Sequence, residues 1–276
     1  MVKRAEARAF QVIDQSIEAI TFQRDCPNRG TLKWKELMLL NPMSQLNFEA
    51  EYGRKYRSTI QHSVPGHATL LEIAAAAIGD TAPSARRILV VGPGPGDELP
   101  QLLDASPEAG FVVVEPSAQM LRTCIETVRG HGGFERCQWV PKTLEEAVRL
   151  GLLQRDFDGV ICHNVLHLMA ADEQDLMIER LVEQSLPGGV LLISSYSEAA
   201  EPWICETIFS IASRRLIDRG LPAEMVDKFL TARNTAVFSL DAARLESILL
   251  GLNCQAPIQL YQGLFARLWI TRRNHP

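Results

Sequence analysis

From residue 66 onward the chain alternates two hydrophobic patterns. HATLLEIAAAAIG repeats apolar residues at helical spacing and is predicted to be a helix closed by Gly79. Short apolar runs follow, RILVV, FVVV, CQWV, FDGVIC and GVLLISS, each bounded by turn residues and read as a strand. Between them lie amphipathic segments predicted to be helices starting at Asp97, Ser117, Thr143 and Ala171. Strands that alternate with helices pair in parallel through right-handed crossovers, so the pattern predicts an α/β fold, a doubly wound sheet covered on both faces.

The flanks of this repeat differ from it. Residues 1–65 carry a helical period over Ala9–Ile20 and then a turn-rich stretch, and are read as an N-terminal helical cap beside a main domain at 66–276. Residues 199–235 read as two helices with no strand between them. SLDAARLESILLGLN reads as a helix capped by Ser239, and APIQLYQGLFARLWITRR as two strands joined at Gln262-Gly263.

The first strand breaks abruptly, in RRILVVGPGPGDELPQLL, into three glycines and two prolines before a helix begins. In an open parallel sheet, ligands bind beyond the carboxyl ends of the strands, and glycine lets the backbone turn sharply and approach a ligand closely. The next strand ends at Glu115, 19 residues beyond Gly96, where a carboxylate can accept hydrogen bonds from both hydroxyls of a ribose. A helix-start acid before Pro116 is the plainer alternative. A dinucleotide fingerprint would require Gly or Ala at position 97, which is Asp97. Asp97 and Glu98 at the helix start would repel a pyrophosphate and suit a cofactor that bears an ammonium or sulfonium.

Composition narrows the partners. With 276 residues and 46% hydrophobic content the chain can bury a full core, and 33 acidic against 28 basic residues leave a net charge of -5, which disfavours nucleic acid. Six scattered cysteines show no metal-site spacing and read as reduced thiols of a cytoplasmic protein, with no metal implied. No run of 18 apolar residues and no signal-peptide core occur, so neither membrane spanning nor secretion is expected. The N-terminal segment is a candidate homodimer interface, undecided by its pattern.

Over roughly residues 60–272 the order and spacing of ILVVGPGPGDE, VVVEPSAQML, FDGVICHNVLHLM and SLPGGVLLISS resemble the class I S-adenosylmethionine-dependent methyltransferases. The resemblance implies a Rossmann-like seven-stranded sheet whose last strand is antiparallel and sits beside the fifth. It also implies S-adenosylmethionine as cofactor, held by Gly92, Pro93, Gly94, Gly96, Glu115 and Pro116, with the backbone amides of Thr143 and Leu144 at the adenine edge. IQHSVPGHATLL is similar to the segment before the first strand in the carboxy-S-adenosylmethionine synthase branch, which places His67 and Asn164 against the cofactor. Two departures stand out: Val90 and Lys142-Thr143 occupy positions where most members carry acids.

The implied reaction is in-line displacement of the activated methyl by a substrate heteroatom or carbon. Base candidates are His167, placed first, and His163, with Tyr52, Tyr56 and His62 from the N-terminal segment facing the substrate. In the insertion, a natural lid, Trp203, Ile204, Phe209 and Ile211 are candidates to line an apolar pocket, and Arg214, Arg215, Lys228 and Arg233 are available for an acidic group. The expected acceptor is a small, partly apolar molecule. Chemistry like carboxy-S-adenosylmethionine synthesis and a non-catalytic cofactor-binding protein remain as alternatives.

Overall fold

The computed structural model describes residues 56–57, 60–61 and 63–276, so most of the helical cap expected over 1–65, including Tyr52 and His62, lies outside the described residues. The described chain runs α1 (His67–Thr81), β1 (Arg87–Val91), α2 (Leu99–Ala105), β2 (Gly110–Val114), α3 (Ala118–His131) and β3 (Cys137–Val140). It continues with α4 (Leu144–Arg149), β4 (Phe157–His163), α5 (Ala171–Gln184) and β5 (Ser185–Tyr196). Two helices follow, α6 (Pro202–Asp218) and α7 (Ala223–Thr231), then α8 (Ala242–Gly251) and a closing hairpin of β6 (Ile258–Gly263) and β7 (Ala266–Arg272).

The seven strands form one sheet in the order β3-β2-β1-β4-β5-β7-β6. β1 to β5 are parallel, and β7 runs antiparallel between β5 and β6. This is the doubly wound sheet the sequence pattern predicts, with the last strand beside the fifth. The near-continuous apolar runs have a plain cause: successive side chains point to opposite faces, and both faces are covered. Leu89, Val91, Val112 and Val114 pack on one face with α4, α5 and α8. Ile88, Val90, Phe111 and Val113 pack on the other with α1, α2 and α3. Each fully buried Leu or Ile contributes roughly 1.5–3 kcal/mol before the entropy of ordering is counted.

Helix ends are where the sequence reading needs correction. α1 continues two residues past Gly79, whose lack of a Cβ lets α1 approach Ala105 closely, and it stops ahead of Pro83. α2 starts at Leu99 rather than Asp97, because residues 93–98 are taken up by turns of the glycine-rich loop. α8 is capped by Asp241, whose carboxylate accepts from Arg244 N at 2.7 Å; Ser239 instead accepts from Glu198 N at 2.8 Å. The closing hairpin turns at Leu264-Phe265, two residues beyond the expected joint. Ser117 does cap α3, accepting from Met120 N, and residues 199–235 do form two helices. No described helix is long and apolar enough to cross a membrane.

The hairpin also holds the turn that leads into α1. The Tyr261 hydroxyl donates to the Pro65 carbonyl, and a Cβ on Gly66 would stand 2.5 Å from the same hydroxyl. Gly66 itself has a φ of 65°, the left-handed region, so two independent reasons demand glycine there. We expect Tyr261→Phe, which keeps the ring and removes the donor, to lower stability by about 1 kcal/mol. The check is a urea midpoint shifted at unchanged slope; an unchanged midpoint would mean that packing alone holds the turn.

Candidate functional site

Beyond the carboxyl end of β1 the backbone makes three left-handed excursions, with φ of 64° at Gly92, 57° at Gly94 and 77° at Gly96. Sterics enforce two of them a second time, since a Cβ on Gly92 would lie 2.5 Å from Val165 Cγ2 and one on Gly96 2.6 Å from Cys124 Sγ. The loop is tied down from two sides. Glu115, at the end of β2, accepts from Gly94 N at 3.0 Å with one oxygen and from Ser117 N at 2.9 Å with the other. Arg57 reaches across from outside, donating to Asp97 at 2.7 Å and to Thr127 Oγ1 at 3.1 Å.

The charge expected at the start of α2 is not there in the expected form. Asp97 is paired with Arg57. The Glu98 carboxyl is buried, and burial pushes its pKa up to about 8; its own backbone amide opposes this, while Asp97 and Glu115 reinforce it. Glu98 is therefore mostly protonated at neutral pH. Pro116 separates Glu115 from the Ser117 cap.

Other expected contacts divide. His67 opens α1 with a buried Nδ1 that has no partner, and burial lowers its pKa despite Asp97. Asn164 follows β4 with a φ of 56° and donates its N–H to Ser194 O. Thr143 is committed locally: it caps α4, and its amide donates to Glu146 Oε2 at 3.1 Å, so it does not stand ready for an adenine edge. Leu144 begins α4 with its side chain in the core. Val90 is fully buried among apolar neighbours.

An apolar cavity of about 200 Å3 lies beside the loop. Tyr56 joins the two, lining the cavity while its ring edge sits 3.6 Å from where a Gly94 Cβ would stand. Asn164 and His167 form part of the wall, and Pro65, Phe209 and Phe265 close others. His167 sits in a single 3-10 turn, Leu166–Leu168, has a buried unpartnered Nδ1, and is lowered to about 4 by burial. His163 is different: it is enclosed at the end of β4, off the cavity wall, with Nδ1 3.3 Å from Ser194 Oγ and a pKa lowered to about 3 by burial and by His67. It is enclosed in the protein interior beside Ser194, so a base at the cavity is sought at His167 rather than His163.

The lid candidates separate in the same way. Phe209 lines the cavity, whereas Trp203, 67% exposed on the first turn of α6, does not. Ile211 is likewise exposed, and Arg214 is paired with Asp218 at the surface. Sequence reasoning missed Tyr196 and Glu198. Tyr196 had a usable signal, since it is the last residue of β5 and so falls at the carboxyl edge where ligands bind.

The folded pKa of Glu98 lies above the ordinary 4.5, so its contribution to stability is fully present below about pH 4.5 and is lost as pH rises toward 8. Glu98→Gln should escape that loss, melting on the order of 5 °C higher than the parent at pH 8 with the gap closing at pH 4.5. A gap independent of pH in thermal scans would show that Glu98 ionises normally.

Residues 89–191, from within β1 to within β5, match the family described as Methyltransferase domain. No curated protein matches the chain. Among solved structures, an O-methyltransferase family protein from Burkholderia thailandensis is similar at a TM-score of 0.55 and 15% identity, over 97% of this chain and 70% of that one. Magnesium protoporphyrin IX methyltransferase from Synechocystis PCC 6803, with bound SAH, gives 0.59 and 15%, over 82% and 96%. The 1,6-didemethyltoxoflavin-N1-methyltransferase of Burkholderia thailandensis, bound to 1,6-didemethyltoxoflavin and S-adenosylhomocysteine, gives 0.56 and 14%, over 91% and 95%. The chain thus has the Rossmann-like fold of the class I methyltransferases, with the Methyltransferase domain match covering its glycine-rich loop, Glu115 and His167.

Proposed function

We propose that the protein transfers a methyl group from S-adenosylmethionine to a small, partly apolar molecule. The observation that carries this reading is the adjacency of two sites: a left-handed glycine loop fastened to Glu115, and an apolar cavity reached from it past Tyr56, Asn164 and His167. The domain match over 89–191 and the small-molecule methyltransferases among the structural neighbours support it.

The residues present fit such a cofactor. The turn Gly92, Pro93, Gly94 and Gly96 is open at Gly94, where a Cβ would meet only Tyr56 at 3.6 Å, so its backbone can approach a ligand closely, and the buried Nδ1 of His67 is an orphaned polar atom. Glu115, which holds the loop amides at the end of β2 next to Pro116, is the carboxylate we assign to the ribose hydroxyls. At the adenine edge, Leu144 N remains the candidate where Thr143 N is taken. When bound, the cofactor supplies a methyl group already activated by a sulfonium charge. The protein's own part is to orient the acceptor and exclude water, which the apolar wall does. His167, neutral at pH 7, can accept a hydrogen bond from an acceptor hydroxyl or amine and take its proton as that group is alkylated.

A second reading, a cofactor-binding protein without turnover, is favoured by the apolar burial of Val90. The carboxylated-cofactor alternative requires a free cation near the transferred group, and Arg233 at the cavity is paired with Glu198. Calorimetric titration with S-adenosylmethionine, S-adenosylhomocysteine and NAD decides the main point. We expect binding of the first two near the micromolar range, weakened at least about tenfold by Glu115→Ala, and none of NAD. Failure of both sulfur nucleotides to bind would overturn the proposal, and binding without turnover on any hydroxyl or amine acceptor would favour the second reading.

A further inference from the structure

Part of the cavity wall is held by an ion pair, in which Arg233, a lining residue, is joined to Glu198. Tyr196, Phe209 and Phe265 form an aromatic cluster, with ring centroids 5.2 Å apart for Tyr196–Phe265 and 4.3 Å for Phe209–Phe265. The Arg233 guanidinium lies over the Phe209 ring, 4.0 Å from its centroid. It donates through Nε to Glu198 Oε1 at 2.9 Å and through Nη2 to Oε2 at 2.6 Å, a bidentate pair. The Tyr196 hydroxyl donates to Oε1 at 2.5 Å and Cys205 Sγ to Oε2 at 3.4 Å.

This arrangement fixes the charge of the wall. Burial pushes the Glu198 carboxyl up, but the hydrogen bonds from Arg233 and Tyr196 outweigh it and hold the group below its ordinary value, so it stays ionised. Arg233 is held above its own ordinary value, chiefly by the hydrogen bond to Glu198. The described lining carries no other permanent charge: Tyr56 and Tyr196 are phenols, and His167 is kept neutral by burial. An incoming carboxylate that took the paired nitrogens would have to displace Glu198 and leave that charge without its partner, and one held at Nη1 alone would stand beside the Glu198 carboxylate and be repelled by it; both are unfavourable. A neutral ring pays no such penalty, and the remaining Arg233 nitrogen, Nη1, has no acceptor among the described residues and can donate to a neutral oxygen.

We propose that the cavity takes an uncharged aromatic acceptor bearing an oxygen, and that the Glu198–Arg233 pair bars aromatic carboxylates. This rests on reading the cavity as the acceptor site of a methyltransferase. It corrects the expectation that Arg233 is available for an acidic group.

The test uses the full chain with S-adenosylhomocysteine bound, titrated at pH 7 with 2-naphthol, which is neutral, and 2-naphthoate, which is an anion. The parent protein should bind the naphthol at least about tenfold tighter than the naphthoate. Glu198→Gln, which frees the guanidinium, should narrow or invert that ratio by about tenfold, and Arg233→Gln, which leaves Glu198 unpaired, should widen it. Equal or better binding of naphthoate by the parent, shifts of the same sign in the two variants, or no binding of either probe would overturn the proposal. If one variant fails to fold, the parent ratio and the other variant still decide. Failure of S-adenosylhomocysteine to bind would sink the proposed function instead, and the ratio measured without it would still report on the cavity.

Discussion

Everything at the ligand-facing edge of this sheet depends on where the Glu115 carboxylate ends. One oxygen holds the middle of the glycine loop and the other holds the amide that opens the third helix, so two chain reversals share one acceptor. Loops of this kind carry backbone N–H groups that cannot find partners in a strand or helix, and a buried donor left alone is costly. A carboxyl side chain at the adjacent strand end answers that need by accepting from both amides. The glycines then do the rest, because a Cβ at Gly92 or Gly96 would overlap the packed side chains of Val165 or Cys124.

The charges around this edge are arranged so that few are unspent. Asp97 faces Arg57, Glu98 is held protonated by burial, and Glu198 faces Arg233. Glu115 holds the loop and helix amides from the end of the second strand. Burial shapes the histidines in the same sense: His67, His163 and His167 are all lowered, and none brings a positive charge to the edge at neutral pH.

Much of this was legible in the sequence, for reasons that can be stated. Strands buried on both faces advertise themselves as unbroken apolar runs, and RILVV, FVVV and FDGVIC fall on β1, β2 and β4. The glycine loop and Glu115 were visible because backbone geometry and an acid at a strand end are local properties. Caps were less legible: Ser239 and Asp241 are equally good cap residues, and only tertiary structure reveals that Ser239 is engaged by Glu198. Protonation was not legible at all. Asp97 and Glu98 are neighbours with the same chemistry in the sequence, yet one points at a guanidinium and the other into the interior. The cavity wall was out of reach for a similar reason, since Tyr196, Glu198, Phe209 and Arg233 come from three separate parts of the chain.

Tyr56 and Arg57 are consecutive residues that face different tasks, the first lining the cavity beside Gly94 and the second pinning Asp97. Because one short stretch of backbone carries both, any ligand that favours one placement of the glycine loop also favours one placement of the cavity wall. If both sites are occupied as proposed, the two occupancies are thermodynamically linked, and the linkage is reciprocal: whatever free energy the first ligand contributes to fixing residues 56–57 is free energy the second need not supply. Each partner would then bind more tightly in the presence of the other, by the same factor in either order, through a dipeptide rather than through direct contact between them.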